Sequence, residues 1–162
     1  MVQKRSTQGL IATARADVTP PLDELVRNCG WPLVLDATPR QLALELAHYE
    51  PQCLLFWLEE RKNIARLAQL VTWARQRGAR PLRVAVAYQL GADVEATLRE
   101  AGAHGFLPIE GNSTRRVPEA LRSLVADFAG APLHAVREFG PAVQLNERSV
   151  PLELPIELAR PP

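Results

Sequence analysis

The chain has 162 residues, 47% of them apolar and 23% charged, which suits one ordinary domain with a real core rather than a disordered segment. Lys+Arg 19 against Asp+Glu 18 leaves a net charge of +1, which argues against a dedicated nucleic-acid or anionic-membrane binder, since either would carry a basic excess. Apolar runs such as residues 53–58 are too short to span a bilayer, and the polar opening 1–9 does not read as a signal peptide.

In chain order, residues 9–14 (GLIATA) form the first expected strand. Residues 21–29 form a helix with Leu22, Leu25, Val26 and Cys29 on one face and Gly30 as its stop. The second strand is 32–37 (PLVLDA). Thr38, Pro39 and Gln41 then give an N-cap, a first-turn proline and a capping-box partner for a helix over 38–50, closed by Pro51. Residues 53–59 (CLLFWLE) are the third strand. The longest helix spans 63–78, with Ile64, Leu67, Ala68, Val71 and Ala74 as its inner stripe. Strand 82–88 (LRVAVAY), helix 93–101, strand 105–109 (GFLPI) and helix 118–129 follow.

Strand and helix therefore alternate five times, with no Asn-Gly or Asp-Gly hairpin turn between strands. Short apolar runs with little polar alternation fit strands covered on both faces. The expected fold class is α/β, a five-stranded doubly wound parallel sheet of order 2-1-3-4-5 in a three-layer α/β/α sandwich. A Rossmann half-fold is the alternative.

Residues 1–130 make up that domain, and 131–162 form a proline-rich tail. Pro132, Pro141, Pro151, Pro155, Pro161 and Pro162 preclude a long helix there. Val136, Phe139, Val143, Leu145, Val150, Leu152, Leu154, Ile156 and Leu158 are too apolar for an inert linker, so the tail is expected to dock or to bind a partner.

Chemistry in an open α/β sheet sits at the C-terminal ends of the strands. The first strand is followed by Ala14-Arg15-Ala16-Asp17, which has no glycine. Neither a dinucleotide fingerprint nor a P-loop is present, so no cofactor is expected. Asp36 is expected to cap a turn, and Glu59, Glu60, Arg61 and Lys62 to form a solvated charged loop. His48, His104 and His134 are scattered, and Cys29 and Cys53 make no Cys-x-x-Cys. No metal is expected, and the cysteines read as buried free thiols in a reducing cytoplasm. No Ser/His/Asp set, nucleophile elbow or paired-acid site is legible, so no enzyme is expected.

Residues 99–109 (REAGAHGFLPI) resemble the segment joining the fourth helix to the fifth strand in bacterial response-regulator receiver domains, whose sheet is flavodoxin-like. Residues 51–59 (PQCLLFWLE) resemble that family's third strand and 81–87 its fourth, and the likeness covers about 9–129. It implies phosphoryl transfer from a histidine kinase to an aspartate. Two acids would hold magnesium after the first strand, and an acceptor Asp would end the third. A hydroxyl would end the fourth strand and a lysine the fifth. Here the acid positions fall on Ala14 and Arg15, the acceptor on Trp57, the hydroxyl on Val86 or Ala87, and the lysine on Ile109.

The resemblance thus implies a pseudo-receiver: a non-phosphorylatable regulatory or protein–protein interaction module in two-component signalling. The alternative is a flavodoxin-like small-molecule binder using the crevice at the strand ends. Its partner is taken to be a protein of unknown identity, with neither nucleic acid nor membrane as target. Leu70 and Trp73 lie off the long helix's inner stripe and are candidate contact residues. Asp93, Glu95 and Glu100 near the fourth helix face Arg115, Arg116 and Arg122 near the fifth in sign, a pattern that suits a two-fold homodimer. The tail is the other candidate dimer contact.

Overall fold

The computed structural model describes residues 4–78, 81–88, 91–109 and 114–129. The tail 131–162, and with it the docking expected there, lies outside the described residues, as do Gln89 and Glu110 at the strand ends. The elements are β1 Arg5–Thr13, α1 Pro20–Cys29, β2 Leu33–Val34, α2 Pro39–Leu46, β3 Tyr49–Leu58, α3 Ile64–Gln76, β4 Leu82–Tyr88, α4 Ala92–Ala101, β5 Gly105–Ile109 and α5 Val117–Ala129, with a 3-10 turn at Arg61–Asn63. The five strands form one sheet of order β2-β1-β3-β4-β5, every pair parallel, as the sequence pattern implies.

Both faces of the sheet are covered. Leu10, Ala12, Leu54, Phe56, Leu58 and Ala85 point to α2, α3 and α4. The alternate residues Ile11, Leu55, Trp57, Val84, Val86 and Leu107 point to α1 and α5. This two-sided burial is why the strands read as unbroken apolar runs. None of the described helices is long and apolar enough to cross a membrane.

Several boundaries differ from expectation, and β1 opens at Arg5 rather than at Gly9. The second strand shrinks to Leu33–Val34 because Asp36 turns into the left-handed region at φ 49, a conformation that Asp tolerates better than most residues. Its N–H donates to the Arg15 carbonyl at 2.6 Å, and the Ala37 N–H donates to Thr13 at 2.9 Å. The chain thereby hooks over the end of β1. The second helix stops at Leu46 rather than 50, and Tyr49 and Glu50 instead open β3. Pro51 disfavours helical geometry in the residue before it, while the polar start of β1 supplies a partner, Arg5 opposite Tyr49 and Thr7 opposite Pro51. At its start the β1–β3 pair runs beyond the rest of the sheet. The contacts with β2 begin only at Ile11, and those with β4 only at Cys53.

Leu70 is a correction. It is 1% exposed and belongs to the core, not to a contact surface. Helix α3 is flanked by α4, where the Thr72 hydroxyl donates to the Ala101 carbonyl at 3.1 Å. The buried arc of α3 is therefore Leu67, Leu70, Val71 and Ala74. Ile64 and Ala68 are only partly covered.

Arg83 is a charged residue inside an apolar strand, and its surroundings explain it. Its Nε donates to the Gly102 carbonyl at 2.8 Å and its Nη1 to Gly78 at 3.0 Å, carbonyls just beyond the ends of α4 and α3. The guanidinium satisfies groups that helix ends leave without partners and complements both helix dipoles. Burial lowers its pKa to about 10, so it remains charged at neutral pH.

Gly9 is a packing requirement. A Cβ built there would lie 2.2–2.5 Å from three atoms of the six-membered ring of Trp31, far inside contact distance. Gly9→Ala is expected to destabilise the fold by about 1–3 kcal/mol in urea denaturation. Adding Trp31→Leu should recover part of that loss, as coupled neighbours do.

Candidate functional site

The C-terminal ends of β1, β3, β4 and β5 converge where ligands bind in this fold class. Thr13, Trp57, Val86 and Leu107 lie side by side across the sheet. Trp57 is 0% exposed. It stands in register with Thr13, and its ring lies 6.1 Å from that of Tyr88. Ala14, Val86, Ala87 and Ile109 are buried as well. Five of the six positions singled out by the receiver resemblance therefore carry buried apolar groups, and the sixth is Arg15.

Arg15 is the centre of an ionic cluster. Its Nη2 reaches Asp17 at 3.0 Å, its Nη1 reaches Glu60 at 3.0 Å, and its Nε lies 3.8 Å from Glu59. The Nε is buried with no hydrogen bond of its own, so Glu59 serves it as a counter-charge only. Glu59 is fixed by two other groups. The Thr19 hydroxyl donates to it at 2.7 Å, and the Trp57 indole N–H at 3.3 Å. The expected solvated loop is in this respect incorrect. Its first residue, with a side chain 13% exposed, ties the end of β3 to the start of α1. An acid two residues after a buried tryptophan was the available sequence signal.

Further arginines lace the same edge. Arg66 donates to Asp36 at 2.7 Å and to the carbonyls of Ala37 and Ala14 at 3.2 and 3.4 Å, joining α3 to the ends of β1 and β2. Arg61 pairs with Asp93 at the start of α4. The Thr114 hydroxyl and N–H donate to Glu24 at 2.6 and 2.8 Å, joining α5's approach to α1. These partners hold the carboxyls of Asp17, Glu24 and Asp93 below their ordinary range: the Arg15 hydrogen bond for Asp17, the Thr114 hydrogen bond for Glu24, and the Arg61 hydrogen bond for Asp93. Among the described residues no three His, Cys, Asp or Glu side chains are grouped to hold a metal.

The candidate contact residues divide in three ways. Asp93 and Glu95 pair within the chain with Arg61 and Arg99. Glu100, Arg115, Arg116 and Arg122 are exposed. Trp73 is partly buried against the core, and the Arg77 guanidinium stacks 4.9 Å from its ring centroid. Both cysteines are free: Cys53 is buried, Cys29 partly so, and burial pushes the Cys29 thiol up to about 11. Neither is a thiolate at neutral pH.

A cavity of about 620 Å³ lies at the opposite edge of the sheet, between the start of the β1–β3 pair and the ends of α3 and α5. It is not the crevice that a flavodoxin-like binder would use.

Replacing Glu59 by Leu removes the acceptor of a buried indole N–H, so we expect a loss of about 1–3 kcal/mol in chemical denaturation. Glu60→Ala breaks a pair whose acid is half exposed and should cost under about 1 kcal/mol. No protein-family model matches this chain, and no curated protein matches it significantly.

Proposed function

We propose that this protein is a receiver-like regulatory or protein-interaction module that cannot accept a phosphoryl group at the end of its third strand. Trp57 carries the proposal. An acceptor at that position has to present a carboxylate to solvent, magnesium and a phosphodonor, whereas Trp57 is 0% exposed and donates to Glu59. The surrounding charges support the same reading. A magnesium site needs acids after β1, and that position carries Arg15, which repels a divalent cation. The lysine position carries Ile109, 1% exposed, which offers the phosphoryl oxygens no positive charge. With the phosphoryl switch absent, recognition rests on side chains at the surface. The exposed Glu100, Arg115, Arg116 and Arg122 lie on or beside α4 and α5 and are the contacts we assign to a protein partner or a second copy.

Incubation with acetyl phosphate and magnesium is expected to leave the intact mass unchanged. A stoichiometric, hydroxylamine-sensitive phosphoryl adduct would overturn the proposal. Trp57→Asp should not restore phosphorylation either. It should unfold or strongly destabilise the protein, by at least about 3 kcal/mol, because it deletes a large buried side chain and leaves a carboxyl in its place.

A further inference from the structure

The cavity of about 620 Å³ at the N-terminal ends of the strands is not used by the proposed function. It forms where the β1–β3 pair overruns β4. Residues 49–52 line it and meet no β4 partner, since that pairing begins at Cys53. Burial divides its lining in two. Leu54, Ala74 and Phe128 are buried and make an apolar floor, whereas Lys4, Glu50 and Arg77 are exposed and make the mouth. The arginines at the other end of the strands are paired with acids, as Arg15, Arg61 and Arg66 are. Lys4 and Arg77 pair with no acid among the described residues. The Trp73 ring holds the Arg77 guanidinium at 4.9 Å from its centroid, a contact that leaves the guanidinium N–H groups available. Two cations face one acid, Glu50, so the mouth is positive on balance.

We propose that this cavity binds a small amphipathic anion, an apolar body carrying one carboxylate, with the body on Leu54, Ala74 and Phe128 and the carboxylate at Arg77 and Lys4. The volume lies in the range of small-molecule pockets. An apolar body gains free energy by leaving water for the floor. A planar guanidinium meets a carboxylate through two parallel N–H···O bonds, which fixes the head at the mouth. An apolar cation would meet Arg77 and Lys4 with like charge, and a wholly polar anion would gain nothing from the floor. Because Trp73 already orders Arg77, less side-chain freedom is lost when the anion arrives. The proposal is independent of the strand-end chemistry, which lies at the other end of the sheet.

The test titrates decanoate into the full chain and follows amide NMR spectra. Saturable shifts are expected at Leu54, Ala74 and Phe128, with a dissociation constant of order 0.1 mM. Shortening the probe to octanoate should weaken binding about tenfold, because two methylenes are lost from the floor. Decanol and decyltrimethylammonium, which lack the carboxylate, should bind at least about tenfold more weakly than decanoate. Arg77→Glu should weaken decanoate binding about tenfold. Arg40→Glu, the same charge change at an exposed residue outside the cavity, should leave it unaltered. Gln52→Trp adds bulk to the cavity from an exposed strand position and should abolish binding, and Arg77→Glu supplies the reading if that variant fails to fold. Equal affinity for all three ten-carbon probes would overturn the proposal, as would decanoate binding that survives Arg77→Glu unchanged. So would the absence of saturable shifts below about 1 mM, and so would shifts at Thr13, Trp57 and Ile109 in place of the floor residues, which would move the ligand to the strand ends.

Discussion

The structure depends on strand β3 being buried from both sides. It pairs with β1 between Tyr49 and Trp57 on one edge and with β4 between Cys53 and Leu58 on the other, and every side chain from Cys53 to Leu58 is buried. A parallel sheet closed in this way has few places for polar chemistry inside it. Charged groups collect where the strands end, and the first residue after β3 able to carry charge is Glu59. The indole of Trp57 and the carboxylate of Glu59 join the apolar interior to that polar edge through one hydrogen bond.

Directly after β1 the charge is opposite to what phosphoryl chemistry at the third strand requires, a cation where acids would hold magnesium. Arg15 stands there between Asp17, Glu59 and Glu60. Arg66 and Arg61 extend the lacing to α3 and α4. Each pair is partly exposed and modest on its own. Together they connect the β1, β2 and β3 loops to neighbouring helices, while Arg83, at the start of β4, holds the C-terminal ends of α3 and α4 at the opposite end of the strands. Rigid positioning of loops suits a surface that presents contacts to another macromolecule, which is the role proposed above.

Much of the fold was legible because its signals are local. Strands 82–88 and 105–109 fall where their apolar runs lie, and Gly30 and Gly102 end helices as their left-handed geometry allows. Thr38 caps α2 by accepting from Gln41, as the spacing implied. What was not legible depends on neighbours distant in sequence. Asp36 shortens β2 because Arg15 and Arg66 hold it from β1 and α3. Leu70 is buried because α4 lies against α3, which widens the covered arc beyond the stripe that periodicity alone gives. At the strand ends, the burial of Trp57 followed from its apolar run, but the Thr19–Glu59 hydrogen bond spans 40 positions and no local pattern encodes it.

The most direct test of the central claim uses the indole N–H of Trp57 as a reporter. Amide and indole NMR spectra of the full chain would be recorded while magnesium and beryllofluoride, a mimic of a bound phosphoryl group, are added together. With Trp57 filling the strand end and Glu59 committed to it, the indole resonance and those of Thr13 and Ile109 should stay in place. Saturable shifts confined to those three residues would show a working phosphoryl site and contradict the account.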